Sequence, residues 1–193
     1  MTWIKSLKSV GIVSSADDSV ILCRGNTDRI LKGLKKVLDD LGLILNEEKT
    51  HVVDARRDCF NFLGFTIGMK RGKRTGRAYP HIEPSKKALK HIRAEVKRLT
   101  TEQYSAVPME DVIRRVNEVA RGWVGYFRYG NCTKALYALK RYLVYRMRIY
   151  LRRKHHYRSF GYKAYPDRYY FETLGLYKVP TKAPWSQPAK ASG

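Results

Sequence analysis

The sequence predicts an α+β fold in which a β-hairpin, a helix and short strands precede a bundle of three helices and an irregular C-terminal tail. Three observations predict it. Two apolar runs rich in β-branched residues flank Ala16-Asp17-Asp18, and apolar residues recur at three- and four-residue spacing before Gly42 and again after Ser85. The charge balance then changes at Pro84, from nine acids and ten bases over residues 1–67 to five acids and eighteen bases over residues 86–154.

Taken in order, Val10 to Val13 and Ser19 to Cys23 read as strands joined by a tight turn. Asn26 or Thr27 is placed to cap a helix whose stripe is Ile30, Leu31, Leu34, Val37, Leu38 and Leu41, with Gly42 as its stop. Strand-like pieces follow at Leu43 to Leu45, His51 to Val53 and Phe60 to Ile67. The basic, glycine-bearing stretch from Met69 to Arg77 reads as a turn, with Ala78 to Ile82 returning as a partner strand. Ser85 is placed to cap the first bundle helix, which buries Ala88, Leu89, Ile92, Val96 and Leu99. The second buries a stripe from Met109 to Phe127, with Trp123 and Phe127 as core, and Gly130 stops it. The third runs from about Lys134 to Lys154 and buries Leu136, Leu139, Leu143, Met147 and Leu151. The expected units are therefore 1–83, 84–155 and a tail over 156–193 rich in Tyr and Pro.

At 193 residues and 44% apolar composition the chain is long enough to bury a core. No apolar run approaches the roughly 18 residues of a membrane span, and the first residues lack the apolar centre of a signal peptide, so a cytoplasmic protein is expected, with no membrane partner. Cys23, Cys59 and Cys132 are odd in number and widely spaced, which argues against a disulfide framework or a zinc site. His155 and His156 have no ligand-forming neighbour at the right spacing either. The formal charge of +22, with a net +13 over residues 86–154, calls for a polyanion, and nucleic acid is the partner that fits.

Adjacent carboxylates at a hairpin tip are one way to present oxygen ligands to Mg²⁺ in a nucleotidyl-transfer site. Several motifs in order extend that reading. Ser15-Ala16-Asp17-Asp18 before a hydrophobic strand, Leu45-Asn46-Glu47-Glu48-Lys49-Thr50, Phe62-Leu63-Gly64-Phe65, and Arg121-Gly122-Trp123-Val124-Gly125-Tyr126-Phe127-Arg128 together resemble the C-terminal part of a bacterial group II intron reverse transcriptase, the RNA-directed DNA polymerase and maturase of such mobile introns. The resemblance covers residues from about 10 to 155. It implies the end of a polymerase palm over 1–83 and the maturase-specific region, domain X or thumb, over 84–155.

The resemblance also implies roles. Asp17 and Asp18 would be the catalytic, Mg²⁺-binding pair; Lys49 would be a phosphate contact or an acid near the active site, or else a surface lysine; Phe62, Leu63 and Gly64 would support a primer end. Arg121, Tyr126, Arg128, Lys140 and Arg141 would meet nucleic acid on the helical region, with Tyr126 and Tyr129 facing a base or sugar. The implied partners are group II intron RNA and an RNA/DNA template-primer duplex. The family supplies a further catalytic carboxylate from a strand upstream of the hairpin, which this sequence does not show, and Ser15 stands where the family has Tyr. Polymerase activity from the chain alone is therefore not expected, a separate chain supplying the rest of the palm is a candidate partner, and no cysteine pairs point to an endonuclease region. Competing readings are a stand-alone RNA-binding splicing accessory and a gene remnant without function.

Overall fold

The computed structural model describes residues 10–15, 18–23, 26–101, 103, 106–156, 158–159 and 161–181. The fold is α+β, as the sequence predicts. Strands β1 (Val10–Ser15) and β2 (Asp18–Cys23) pair antiparallel, with Ile12 opposite Ile21 and Val13 opposite Val20. Helix α1 (Thr27–Asp40) starts where Asn26 caps it, its Oδ1 accepting from the backbone N–H groups of Asp28 and Arg29 at 2.9 and 3.2 Å. Gly42 ends it with a φ of 68°. No residue of α1 is buried, and no described residue of β1 or β2 is either. Ile44, just beyond, is 96% exposed.

The expected strands at Leu43 to Leu45 and His51 to Val53 do not form. A strand needs a neighbour to satisfy its backbone, and neither segment has one among the described residues; polar side chains fold the residues that follow each of them into local turns. Asn46 Oδ1 accepts from the Lys49 N–H at 3.1 Å, the Thr50 hydroxyl donates to the Asn46 carbonyl at 2.6 Å, and Asp54 Oδ1 accepts from the Arg56 N–H at 3.0 Å. The expected single strand from Phe60 to Ile67 is instead two, β3 (Phe60–Phe62) and β4 (Phe65–Arg71). Between them Leu63 and Gly64 both take positive φ, 47° and 78°, as a two-residue type I′ hairpin requires. β4 pairs antiparallel with β5 (Ala78–Pro84) across the basic turn, which the Gly72 N–H closes on the Arg77 carbonyl at 2.9 Å. Pro80 and Pro84 are tolerated because β5 is an edge strand.

Three helices follow. α2 (Lys86–Leu99) is capped by Ser85, whose Oγ accepts from the Ala88 N–H at 3.1 Å; α3 spans Met109–Phe127 and α4 spans Thr133–Lys154. The core runs from Ile92 to Val179, through Val96, Val112, Val116, Leu136, Leu139, Leu143 and Met147. The segment after α4 is irregular, as expected, yet it closes the core: a π-helical turn, Tyr169–Thr173, buries Tyr170, and Leu176 and Val179 follow it in. Buried Asn117 fastens this segment to α3, its Nδ2 donating to the Gly175 carbonyl at 2.8 Å and its Oδ1 accepting from the Tyr177 N–H at 2.6 Å. α3 ends at Phe127, short of Gly130, and the glycine has another task. A Cβ there would fall on the Ile82 carbonyl oxygen of β5, and Asn131 pairs with that same strand residue, accepting from the Ile82 N–H at 3.1 Å and donating to its carbonyl. The sheet β3-β4-β5 is thereby joined to the bundle. Among the described residues the three cysteines are free, and no helix is long and apolar enough to cross a membrane.

Candidate nucleic-acid interface

Charge is sorted along the helices. The outer face of α3 begins with acids: Arg114 is paired with Asp111 at 2.9 Å and with Glu118 at 3.4 Å. From Val119 to Pro166 the sequence then holds twelve Lys and Arg and not one Asp or Glu. All of α4 lies inside that stretch.

Two of its bases are internal. Arg146 is buried and, among the described residues, has no carboxylate partner; its guanidinium donates to the Thr100 hydroxyl at 2.9 Å, the Thr100 carbonyl at 3.0 Å and the Lys97 carbonyl at 3.4 Å. These are the last carbonyls of α2, where the helix dipole favours a cation. Arg148, 3% exposed, donates to the Tyr165 carbonyl at 2.8 Å and pairs with Asp167 at 2.7 Å, its guanidinium 4.4 Å from the Tyr162 ring and 4.8 Å from the Tyr170 ring. Burial pushes the Tyr170 hydroxyl above its ordinary pKa, against the lowering effect of Arg148. Both arginines are counted in the basic excess of residues 86–154 that the sequence shows. Their acceptors lie 46 residues upstream and in an aperiodic segment, so no helical pattern marks them.

Lys154 is also engaged, its Nζ donating to the Val107 carbonyl at 2.7 Å, whereas Arg121, Arg128, Lys140 and Arg141 are placed to meet a polyanion. Arg121 and Arg128 are exposed on the last turns of α3, each stacked on an aromatic, Arg121 at 5.4 Å from the Tyr177 ring and Arg128 at 5.1 Å from the Tyr129 ring. Arg121 also lines a cleft with Glu110 and Glu118, which dilutes its positive field; Arg128 has no such neighbour in its own stretch. Lys140, half-buried, lies 5.3 Å from the Phe171 ring, and exposed Arg141 lies 6.0 Å from that of Tyr137.

The hairpin tip expected to support a primer end is brought against this region. Phe65 stacks on Tyr126 with ring centroids 5.5 Å apart and tilts against Phe127 at 4.9 Å. The Tyr126 hydroxyl donates to the Leu63 carbonyl at 3.0 Å, so one edge of that ring is committed to the tip while half of it stays exposed. At Gly64 a Cβ would stand 3.1 Å from Phe127 Cζ, which, with the positive φ, reserves the position for glycine. Phe62 is half-buried beside it. Phe62, Leu63 and Gly64 thus share a surface with Tyr126. Trp123 and Phe127 are core, their rings 4.7 Å apart.

Asp18 and Lys49 lie outside that surface. Asp18 is exposed at the start of β2, opposite Ser15, and Lys49 is exposed in the turn organised by Asn46. Asp17 falls outside the described residues. Among those described, no three His, Cys, Asp or Glu side chains come together as a metal site.

No curated protein matches the chain. Residues 89–170, from within α2 to the π-helical turn, match the family model of the group II intron maturase-specific domain, which supports a group II intron maturase-like protein with a function related to intron splicing.

Proposed function

We propose that the chain serves group II intron splicing and mobility by binding intron RNA through the basic surface of α3 and α4. The observation that carries this is the coincidence of the family match at residues 89–170 with the 48-residue stretch from Val119 to Pro166 that holds no carboxylate. Lysines and arginines on such a face meet phosphates and 2′-hydroxyls, giving affinity that depends little on sequence and steeply on salt. Arg128, Lys140 and Arg141 are the phosphate contacts in this reading, with Arg121 at the edge and Tyr126 beside a nucleotide. The hairpin tip Phe62-Leu63-Gly64 would extend the same surface towards a template-primer duplex.

In this reading residues 1–83 are the closing part of a reverse transcriptase palm. What supports it is the unburied apolar surface of α1 and β1–β2, as expected of a unit completed by more protein, supplied by a separate chain or a further segment. Asp17 and Asp18 would bind Mg²⁺ only in that completed palm. Primer extension on an RNA template with Mg²⁺ should accordingly give no product from this chain alone. A stand-alone splicing accessory is favoured by one observation, that the buried hydrophobic core residues lie wholly within 92–179.

The test is RNA titration of an Arg121→Ala/Arg128→Ala variant against the wild-type chain. Both side chains are exposed, so helicity is expected to be unchanged. Binding to structured RNA should weaken, and the slope of log affinity against log salt should become shallower by about two, one for each phosphate contact removed. An unchanged slope with unchanged affinity would remove both residues from the interface.

A further inference from the structure

The outward face of α4 carries aromatic rings that the bundle does not need. Tyr137 and Tyr145 are 54% and 47% exposed, and with Arg141 between them they stand at i, i+4 and i+8 on one face, so successive side chains are about 6 Å apart along the helix. The Arg141 guanidinium lies 6.0 Å from the Tyr137 ring. Half-buried Tyr142 forms the floor beside Tyr145, ring centroids 6.5 Å apart, and is itself fixed: its hydroxyl donates to the Arg93 carbonyl at 3.1 Å and the Arg93 guanidinium sits 5.7 Å from its ring. By contrast Tyr150, on the same helix, is buried with its hydroxyl donating to the Val107 carbonyl at 3.1 Å.

From this arrangement we infer that Tyr137, Arg141 and Tyr145 form a stacking platform for unstacked RNA bases, in a single strand or in the splayed residues of a loop. The inference rests on the RNA-binding reading above and adds to it the class of RNA. Stacked duplex bases show only their edges, and A-form helices are met through phosphates and 2′-hydroxyls, so a row of open π faces has nothing to stack on in a duplex. An unpaired base offers its face to tyrosine or to a guanidinium plane, whatever its identity. Tyrosine and arginine also anchor protein interfaces. A face within 48 residues free of carboxylate favours the polyanion over a protein.

The experiment compares the full chain with Y137A/Y145A and Y137F/Y145F variants, titrated with an oligouridylate and with an RNA duplex of similar phosphate number. Y137A/Y145A should bind the oligouridylate weaker by on the order of tenfold or more, with an unchanged salt slope, and bind the duplex as the wild type does. Y137F/Y145F should restore single-strand binding, because the ring and not the hydroxyl is used. Circular dichroism checks the fold, and the single variants Y137A and Y145A serve if the pair is unstable. Wild-type single-strand affinity in the alanine variant, or equal loss on both RNAs, overturns the platform while leaving RNA binding in place. Retained RNA affinity together with loss of a protein partner would assign the face to protein. Absence of wild-type binding to either RNA overturns the RNA reading itself, and this inference with it.

Discussion

Replacing Gly130 by alanine is expected to destabilise the protein by about 2–4 kcal/mol, from overpacking plus weakened hydrogen bonds. The reason is local. The new methyl would stand far inside van der Waals contact of the Ile82 carbonyl oxygen, which is backbone and cannot rotate away as a side chain would. Either β5 moves or the α3–α4 turn does, and in both cases the paired bonds between Asn131 and Ile82 stretch. Urea unfolding followed by circular dichroism measures the change. Asn131→Ala, which removes only the side-chain acceptor, should cost about 1 kcal/mol. A Gly130→Ala protein as stable as the wild type would contradict the joint between sheet and bundle.

The second large effect concerns Arg146. Replacing a buried ion by an apolar residue of similar size can be neutral when its partners leave with it or are re-satisfied, because desolvation offsets attraction. Here the partners stay. The Thr100 and Lys97 carbonyls belong to the end of α2 and lose a charged donor, while Thr100 Oγ1 keeps its bond to the Val96 carbonyl at 2.7 Å. Arg146→Met is therefore expected to cost about 2–4 kcal/mol, as for loss of a charged hydrogen-bond donor to buried backbone acceptors. Arg146→Lys, which keeps the charge but not the planar fork, should fall between. Equal urea midpoints for the Met variant and the wild type would show that desolvation cancels the three bonds.

Much of the bundle is legible in the sequence because its helices obey a single period. The positions expected inside α4, from Leu136 to Leu151 at three- and four-residue spacing, are all buried, and Ser85 and Asn26 cap the helices they precede. What is not legible depends on partners distant in sequence. Leu63-Gly64 hides a turn inside an apolar run, since positive φ at a leucine leaves no compositional mark. Leu43 to Leu45 and His51 to Val53 have strand-forming residues but no strand beside them. Arg146 and Arg148 look like surface bases until α2 and the Tyr-rich segment close over them. For the candidate interface, the basic excess is visible from composition, whereas its sharp edge at Glu118 and the exposed row of Tyr137, Arg141 and Tyr145 emerge once α3 and α4 are placed.

Affinity of the wild-type chain for a folded group II intron RNA, measured as a function of salt, tests the central claim most directly. If six or more phosphates are neutralised on α3 and α4, raising monovalent salt from about 50 to 200 mM should weaken binding by roughly a thousandfold or more, along a straight line in log affinity against log salt. Absent binding, or affinity that does not change over that range, would contradict an RNA interface on these helices.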